Sequence, residues 1–249
     1  MEGYNERTAL LLGNNQVEQL KQATVMVVGI GGVGSYCVEA LARCGIGRLI
    51  LVDHDCVSPS NLNRQIHASY ETIGRLKTDV MKERILSYQK DCEVLTYPMF
   101  YQAEINEQLF QTKVDFVVDA IDTVSAKLDL ISTCLVHKIS FISSMGMANR
   151  MDPTAVCISE LMKTSYDPLA KVIRSQVRKR RLKGKIPVVY SVEQPIKQNQ
   201  VVNSDAEIRK LRIPPASSPF VPTAAGLACA SYAVKVILSG TNSINADRK

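Results

Sequence analysis

The seven cysteines contain no C-x-x-C pair, and seven is an odd number. Both facts argue against a disulfide framework and against a structural zinc site, and a reducing compartment is expected. No apolar run approaches the roughly 20 residues that a bilayer-spanning helix needs. The longest weakly polar stretch, residues 223–234, is stopped by Lys235. Residues 1–7 carry no apolar signal core. A cytoplasmic protein with no membrane association is therefore expected. Internal repeats, low-complexity tracts and collagen-like or coiled-coil periodicity are absent as well.

What is present fits a folded domain. Hydrophobic residues make up 46% of the 249 residues and charged residues 22%, which excludes disorder over the whole chain and allows a sizeable core. The net charge of +6 is concentrated in one place. Between residues 163 and 185 stand Lys163, Lys171, Arg174, Arg178, Lys179, Arg180, Arg181, Lys183 and Lys185, against Asp167 alone. This local surplus exceeds that of the whole chain, so the remainder is slightly acidic. A polyanion contact is expected at that segment, with a solvated helix face as the plainer alternative.

Residues 25–30, VMVVGI, are short, β-branched and apolar and end in glycines, which predicts a buried parallel strand. A helix is expected over 34–44, ended by Gly45 and Gly47, and a second buried strand over 49–53. Strand, helix and strand within about 30 residues form a βαβ unit. A loop over 54–75, a helix over 76–90 and strands at 93–97 and 115–120 follow. A helix at 124–137 and a strand at 139–143 complete a Rossmann-like, doubly wound and mostly parallel α/β sheet. Beyond residue 155 the pattern changes to an added α+β part. It has strands at 155–161 and 188–192 with the basic helix between them, a proline-rich loop over 195–222 and a closing helix over 223–238.

Gly29, Gly31, Gly32, Gly34 and Ser35 lie where the first strand turns into the first helix. Glycines let a phosphate approach the backbone, and the helix start offers unpaired N–H groups. Asp53 ends the second strand, where a carboxylate can accept from ribose hydroxyls. A nucleotide site is expected, with a tight strand–helix turn that binds nothing as the plainer alternative. A nicotinamide dinucleotide is the plain candidate, but residues 53–65, DHDCVSPSNLNRQ, and the later Lys77 are more than a hydride-transfer enzyme needs. Arg and Lys neutralise a triphosphate and Asp can hold magnesium, as an adenylating enzyme requires.

The motifs G-x-G-G-x-G-S, D-x-D and N-x-N-R-Q, with the downstream Lys77, resemble the ubiquitin-activating-enzyme-like adenylyltransferase family over residues 5–155. The resemblance implies ATP contacts from Asp53, Asp55, Asn61, Arg64, Gln65 and Lys77. It implies that Asp122 holds magnesium and phosphate. It also implies that Arg7 reaches the ATP of a neighbouring protomer, hence a homodimer. Arg64, Lys77, Asp122 and Arg7 are the implied catalytic set. Carrier-protein activators of that family usually continue D-N-x-x-x-R, whereas this chain has Asp119, Asp122 and Lys127 in D-x-x-D-x4-K. That pattern, with SMGMANRMDPT at 144–154 and VVYSVE at 188–193, resembles the tRNA threonylcarbamoyladenosine dehydratase branch over nearly the full chain.

On that resemblance residues 1–249 form a single ATP-binding domain. Residues 1–155 are the nucleotide-binding core, and 156–249 are a basic, substrate-facing extension with a closing helix. The implied reaction activates the threonine carboxylate of N6-threonylcarbamoyladenosine in the tRNA anticodon loop as an acyl adenylate. The carbamoyl group then closes on it and AMP leaves. Arg174, Arg178, Lys179, Arg180, Arg181 and Lys183 would contact the tRNA, and Tyr166 could stack on a loop base. The alternative is an adenylating activator of a small ubiquitin-like sulfur carrier, and a protein of the cysteine-desulfurase system is a further partner the resemblance suggests.

Other reactive side chains have plainer readings. Cys157 and Cys229 sit in apolar surroundings and read as core thiols. His54 and His67 read as surface or hydrogen-bonding residues rather than general bases, and His137 as a helix-end residue. Met145 and Met147 read as core. Gly146, Asn149 and Asp152 could shape the pocket or offer carbonyls to a monovalent cation, K+ or Na+.

Overall fold

A computed structural model describes residues 5–198 and 215–239. Seven strands form one sheet: β1 (Thr24–Val28), β2 (Arg48–Val52), β3 (Glu93–Tyr97), β4 (Phe116–Asp119), β5 (Phe141–Ser144), β6 (Val156–Glu160) and β7 (Pro187–Ser191), in the order β3-β2-β1-β4-β5-β7-β6. All pairings are parallel except β6 with β7. Each of the five residues of β1 is buried, because helices cover both faces of a parallel sheet. The sheet runs unbroken across residue 155, with β7 beside β5 and β6 on the edge.

The helices are α1 (Glu6–Leu12), α2 (Asn14–Gln22), α3 (Gly34–Arg43), α4 (Lys77–Leu86), α5 (Asn106–Leu109), α6 (Val124–Val136), α7 (Pro168–Lys179) and α8 (Phe220–Ser239). Alternation along β1 divides the core. Val25 and Val27 join Leu41 of α3 and Ala225 and Cys229 of α8 on one face. Met26 and Val28 join Leu130 of α6 and Ile173 of α7 on the other.

Against the expectation that no run is long enough, helix α8 could cross a membrane by length and composition, because it continues past Lys235, yet 56% of its apolar window is buried inside this fold. Its Gly226 permits the closest approach. A methyl there would collide with the Val33 carbonyl and lie 3.0 Å from the Cys37 nitrogen. The helix therefore presses on the start of α3, directly behind the glycine turn.

Several boundaries differ from expectation. Helix α4 ends at Leu86 rather than 90, because the Ser87 hydroxyl bonds the Arg84 carbonyl at 2.7 Å and the Gln89 amide turns back to the Ile46 carbonyl at 3.0 Å. Helix α8 begins at Phe220, so residues 220–222 are helical rather than loop. Pro222 fits the first turn, where its missing N–H has no partner to lose. Helices α1, α2 and α5 have no counterpart in the sequence reading. Helix α1 buries no residue and α2 only Val17 and Leu20, so neither shows a core-facing period. Residues 199–214 of the expected proline-rich loop lie outside the described residues.

Candidate active site

The strand order reverses between β1 and β4, and in open α/β sheets that reversal opens a crevice at the carboxyl ends of the two strands. The glycine turn lies there. Gly29 has φ +90°, and a methyl on it would stand 2.7 Å from the Ala120 carbonyl oxygen at the end of β4. Helix α3 starts at Gly34 and aims its first N–H groups at the crevice. Gly32 faces Pro222 of α8 and the stem of Arg64, with 3.2 and 3.5 Å to a methyl placed on it. Ser35 is fully buried, and its hydroxyl accepts the Ile66 N–H at 3.4 Å, which ties the turn to the following loop.

The Asp53 carboxylate accepts the Ile30 N–H at 2.6 Å and the Asp55 N–H at 2.8 Å. It thereby fixes the glycine turn from the side, and each oxygen keeps a lone pair for a hydroxyl. Asn61 is buried, and its Oδ1 accepts the Ser58 N–H at 3.0 Å to cap a single 3-10 turn. Arg64 is half-buried. Its Nη1 bonds the Ser60 carbonyl at 2.7 Å and Asn63 Oδ1 at 2.8 Å. The buried Gln65 lies against Gly31, with Oε1 lacking a protein partner.

An ATP contact calls for a lysine that reaches the cleft, yet Lys77 does not stand free there. It is 5% exposed, and its Nζ donates to Asp55 Oδ2 at 2.6 Å. Lys77 is the first residue of α4, where the helix N-terminus repels a cation, and the half-exposed Asp55 compensates. Asp55 thus serves the lysine in this structure.

His67 is corrected by the structure. It is 4% exposed, and neither ring nitrogen has a hydrogen-bond partner, so it is neither a surface nor a hydrogen-bonding residue. Burial, with Lys77 and Arg84 nearby, pushes its pKa down to about 4, which makes it a poor general base near neutral pH.

Asp122 is exposed just beyond β4, and its Oδ1 faces the Thr123 hydroxyl at 3.5 Å. Three residues earlier, Asp119 and Lys127 form a fully buried pair at 2.8 Å, and Ser143 donates to the same carboxylate oxygen at 2.6 Å. The D-x-x-D-x4-K spacing thus joins an anchored acid and lysine to an exposed acid. The carboxylate of Asp122 is a hard oxygen donor of the kind magnesium takes.

Arg7 does not join this cluster within one chain. It is exposed on α1, and Asn5 beside it packs on Gly45 at the opposite, amino-terminal end of β2. Cys229 is fully buried with its thiol pushed up to about 12, chiefly by desolvation, and Cys37 beside it is raised likewise. Cys157 is only half-buried.

In the knot beyond β5, where Gly146, Asn149 and Asp152 were expected to shape the pocket or hold a cation, the sequence reading gave no role to Arg150. Arg150 is buried and bonds the Glu193 carbonyl at 3.0 Å and the Gly146 carbonyl. The Gly146 oxygen therefore faces a guanidinium, a poor environment for a cation. The Asn149 carbonyl accepts the Ile196 N–H at 2.7 Å, and Asp152 caps the turn at Thr154 at 2.8 Å. Asn63 Nδ2 reaches the Ser217 carbonyl at 3.0 Å and links this knot to the loop of Arg64.

Helix α7 is capped by Asp167, whose Oδ1 accepts the Ala170 N–H at 2.8 Å. The six expected RNA contacts divide here. Arg174 bonds the Thr164 carbonyl at 2.9 Å and is drawn into the fold, whereas Arg180 stays exposed while pairing with Asp129 at 2.5 Å. Arg178, Lys179, Arg181 and Lys183 are exposed.

Known proteins resemble this chain in sequence and in fold. The ThiF family profile matches residues 4–248. The chain is 45% identical over 237 residues to tRNA threonylcarbamoyladenosine dehydratase of Bacillus subtilis, covering 93% of each chain. It is 39% identical over 193 residues to the Escherichia coli protein of the same name, covering 75% of this chain and 72% of that one. The crystal structure of the E. coli dehydratase in complex with ATP superposes with a TM-score of 0.85 at 31% identity, covering 96% of this chain and 95% of that one.

Proposed function

The chain belongs to the ThiF family, and from that premise we propose that it is an ATP-dependent tRNA threonylcarbamoyladenosine dehydratase. The observation that carries the reading is the identity of 45% across 93% of both chains, which spans the nucleotide crevice and the basic helix alike. The glycine turn and the start of α3 cradle the phosphates of ATP, and Asp53 accepts from the ribose. The threonine carboxylate oxygen of the modified adenosine attacks the α-phosphorus, pyrophosphate leaves, and an acyl adenylate forms.

An anionic nucleophile must approach an anionic phosphate in this step. Lys77 and Arg64 offset that repulsion, and the low dielectric around a 5%-exposed lysine strengthens its effect. On nucleotide binding, the lysine would exchange Asp55 for phosphate oxygens. Asp122 would hold magnesium, which supplies further charge compensation when bound. The carbamoyl group of the same residue then closes on the activated carbonyl and expels AMP. The closure is intramolecular and profits from a high effective molarity, so it needs no enzymic thiol.

Arg178, Lys179, Arg181 and Lys183 supply the phosphate contacts to tRNA. A homodimer in which Arg7 of each protomer completes the site of the other belongs to this proposal, as does a cytoplasmic location, where tRNA is found. An interaction with a protein of the cysteine-desulfurase system belongs to it too. The test measures AMP release with threonylcarbamoylated tRNA and, separately, with a ubiquitin-like carrier that ends in glycine. Release driven by the tRNA alone is expected. Release driven by the carrier alone would replace this reading with that of a carrier activator.

A further inference from the structure

Arg150 is 2% exposed, yet its guanidinium reaches three separate segments. Nε donates to the Glu193 carbonyl at the end of β7, and Nη1 to the Gly146 carbonyl beyond β5. Nη2 donates to the Tyr166 carbonyl at 3.2 Å and lies 3.5 Å from Asp167 Oδ2 at the entry to α7. Only a planar fork satisfies acceptors in such different directions, and a lysine ammonium cannot.

The consequence is visible at Tyr166. Thr164 and Asp167 on either side are 7% and 3% exposed, whereas Tyr166 is 60% exposed. Its φ of +54° lies in the left-handed region, which a bulky residue keeps only where its surroundings fix it. The ring therefore projects from a backbone anchored on both sides. It stands at the start of α7, whose exposed residues Lys171, Ser175, Arg178 and Lys179 follow at helical spacing. At 1.5 Å per residue the ring and the last basic turn are about 20 Å apart, enough for both to touch different nucleotides of one RNA loop.

We propose that Tyr166 stacks on an unpaired base of the substrate RNA and that Arg150 is its positioning residue, holding the ring in register with the basic face of α7. The inference rests on the RNA-modifying reading above. Unpaired loop bases splay out and stack on aromatic rings, and such a contact neutralises no phosphate. It should therefore contribute affinity without contributing salt dependence.

The experiment measures binding of a threonylcarbamoylated anticodon stem–loop RNA to the full chain across a salt series. It uses the wild type, Tyr166→Ala, Tyr166→Phe, Arg150→Lys and the Tyr166→Ala/Arg150→Lys double variant. Tyr166→Ala should weaken binding about tenfold at every salt concentration with an unchanged slope, and Tyr166→Phe should bind as the wild type does. Arg150→Lys should raise the KM for RNA while leaving that for ATP unaltered, and the double variant should be no weaker than Tyr166→Ala. Wild-type affinity in Tyr166→Ala overturns the stacking role. Additive losses in the double variant overturn the positioning role. The Tyr166 series decides the first point even if Arg150→Lys fails to fold. Failure of the wild type itself to bind this RNA overturns the RNA-modifying reading on which the inference rests.

Discussion

Lys77 breaks a local rule, and the breach marks its task. A cation at the first position of a helix opposes the macrodipole, and burial makes the charge dearer still. Natural sequences accept such conflicts mainly at functional sites. Lys77→Ala should lower AMP release by roughly a hundredfold or more, the usual loss when a positioned transition-state charge is removed. Because Asp55 is half-exposed and can return to water, the loss in thermal stability should stay within about 1 kcal/mol. Turnover assays and melting curves on the same variant separate the two effects. His67 makes the opposite prediction, on stability alone. Its folded pKa of about 4 lies below the unfolded 6.5, so between those values the unfolded chain binds the extra proton and stability falls as pH falls. From pH 7 to pH 5 this group should withdraw about 2 kcal/mol. Denaturant unfolding at the two pH values should show that difference vanish in His67→Leu. An unchanged difference would mean that other groups carry it.

At the scale of elements, the reliable parts of the sequence were those where one local rule decides. Residues VMVVG, with apolar β-branched side chains running into a glycine, can hardly be anything but a buried parallel strand entering a turn, and β1 lies there. Asp53 at the end of β2 was legible for the same reason. What escaped were features set by distant partners. The pairing of Lys77 rests on Asp55, 22 residues away, and that of Arg174 on Thr164, ten residues away. The single arginine of NRMDPT gives no local sign that Gly146, Tyr166 and Glu193 converge on it. The sequence reading placed Asp119 and Lys127 in one motif, but only the fold makes them a sealed ion pair joining β4 to α6. Removing one member leaves an uncompensated buried charge, so Lys127→Met should destabilise the protein by about 3–5 kcal/mol in equilibrium unfolding. Helix α7 carries a test of its own. Reversing the charges of Arg178, Lys179 and Arg181 should weaken tRNA binding and flatten its salt dependence while ATP affinity holds. An unaltered slope would remove this face from the interface.

At the scale of the whole molecule, one sheet bears the nucleotide crevice at its centre and the basic helix on one face, and α8 braces the phosphate turn from behind. The amino-terminal helix remains apart from both. Leu10 and Leu11 of α1 are 83% and 81% exposed, an apolar display that suits contact with a second copy. If Arg7 acts across that contact, Arg7→Ala and Lys77→Ala protomers, each inactive alone, should regain activity when mixed, because the mixed dimer contains one intact site. No recovery on mixing would place Arg7 outside the chemistry. The most direct measurement of the function itself is the mass of the modified nucleoside. After incubation with ATP, magnesium and threonylcarbamoylated tRNA, the nucleoside recovered by digestion should be lighter by one water, with one AMP formed per conversion. An unchanged mass on a substrate competent for a known dehydratase would contradict the assignment.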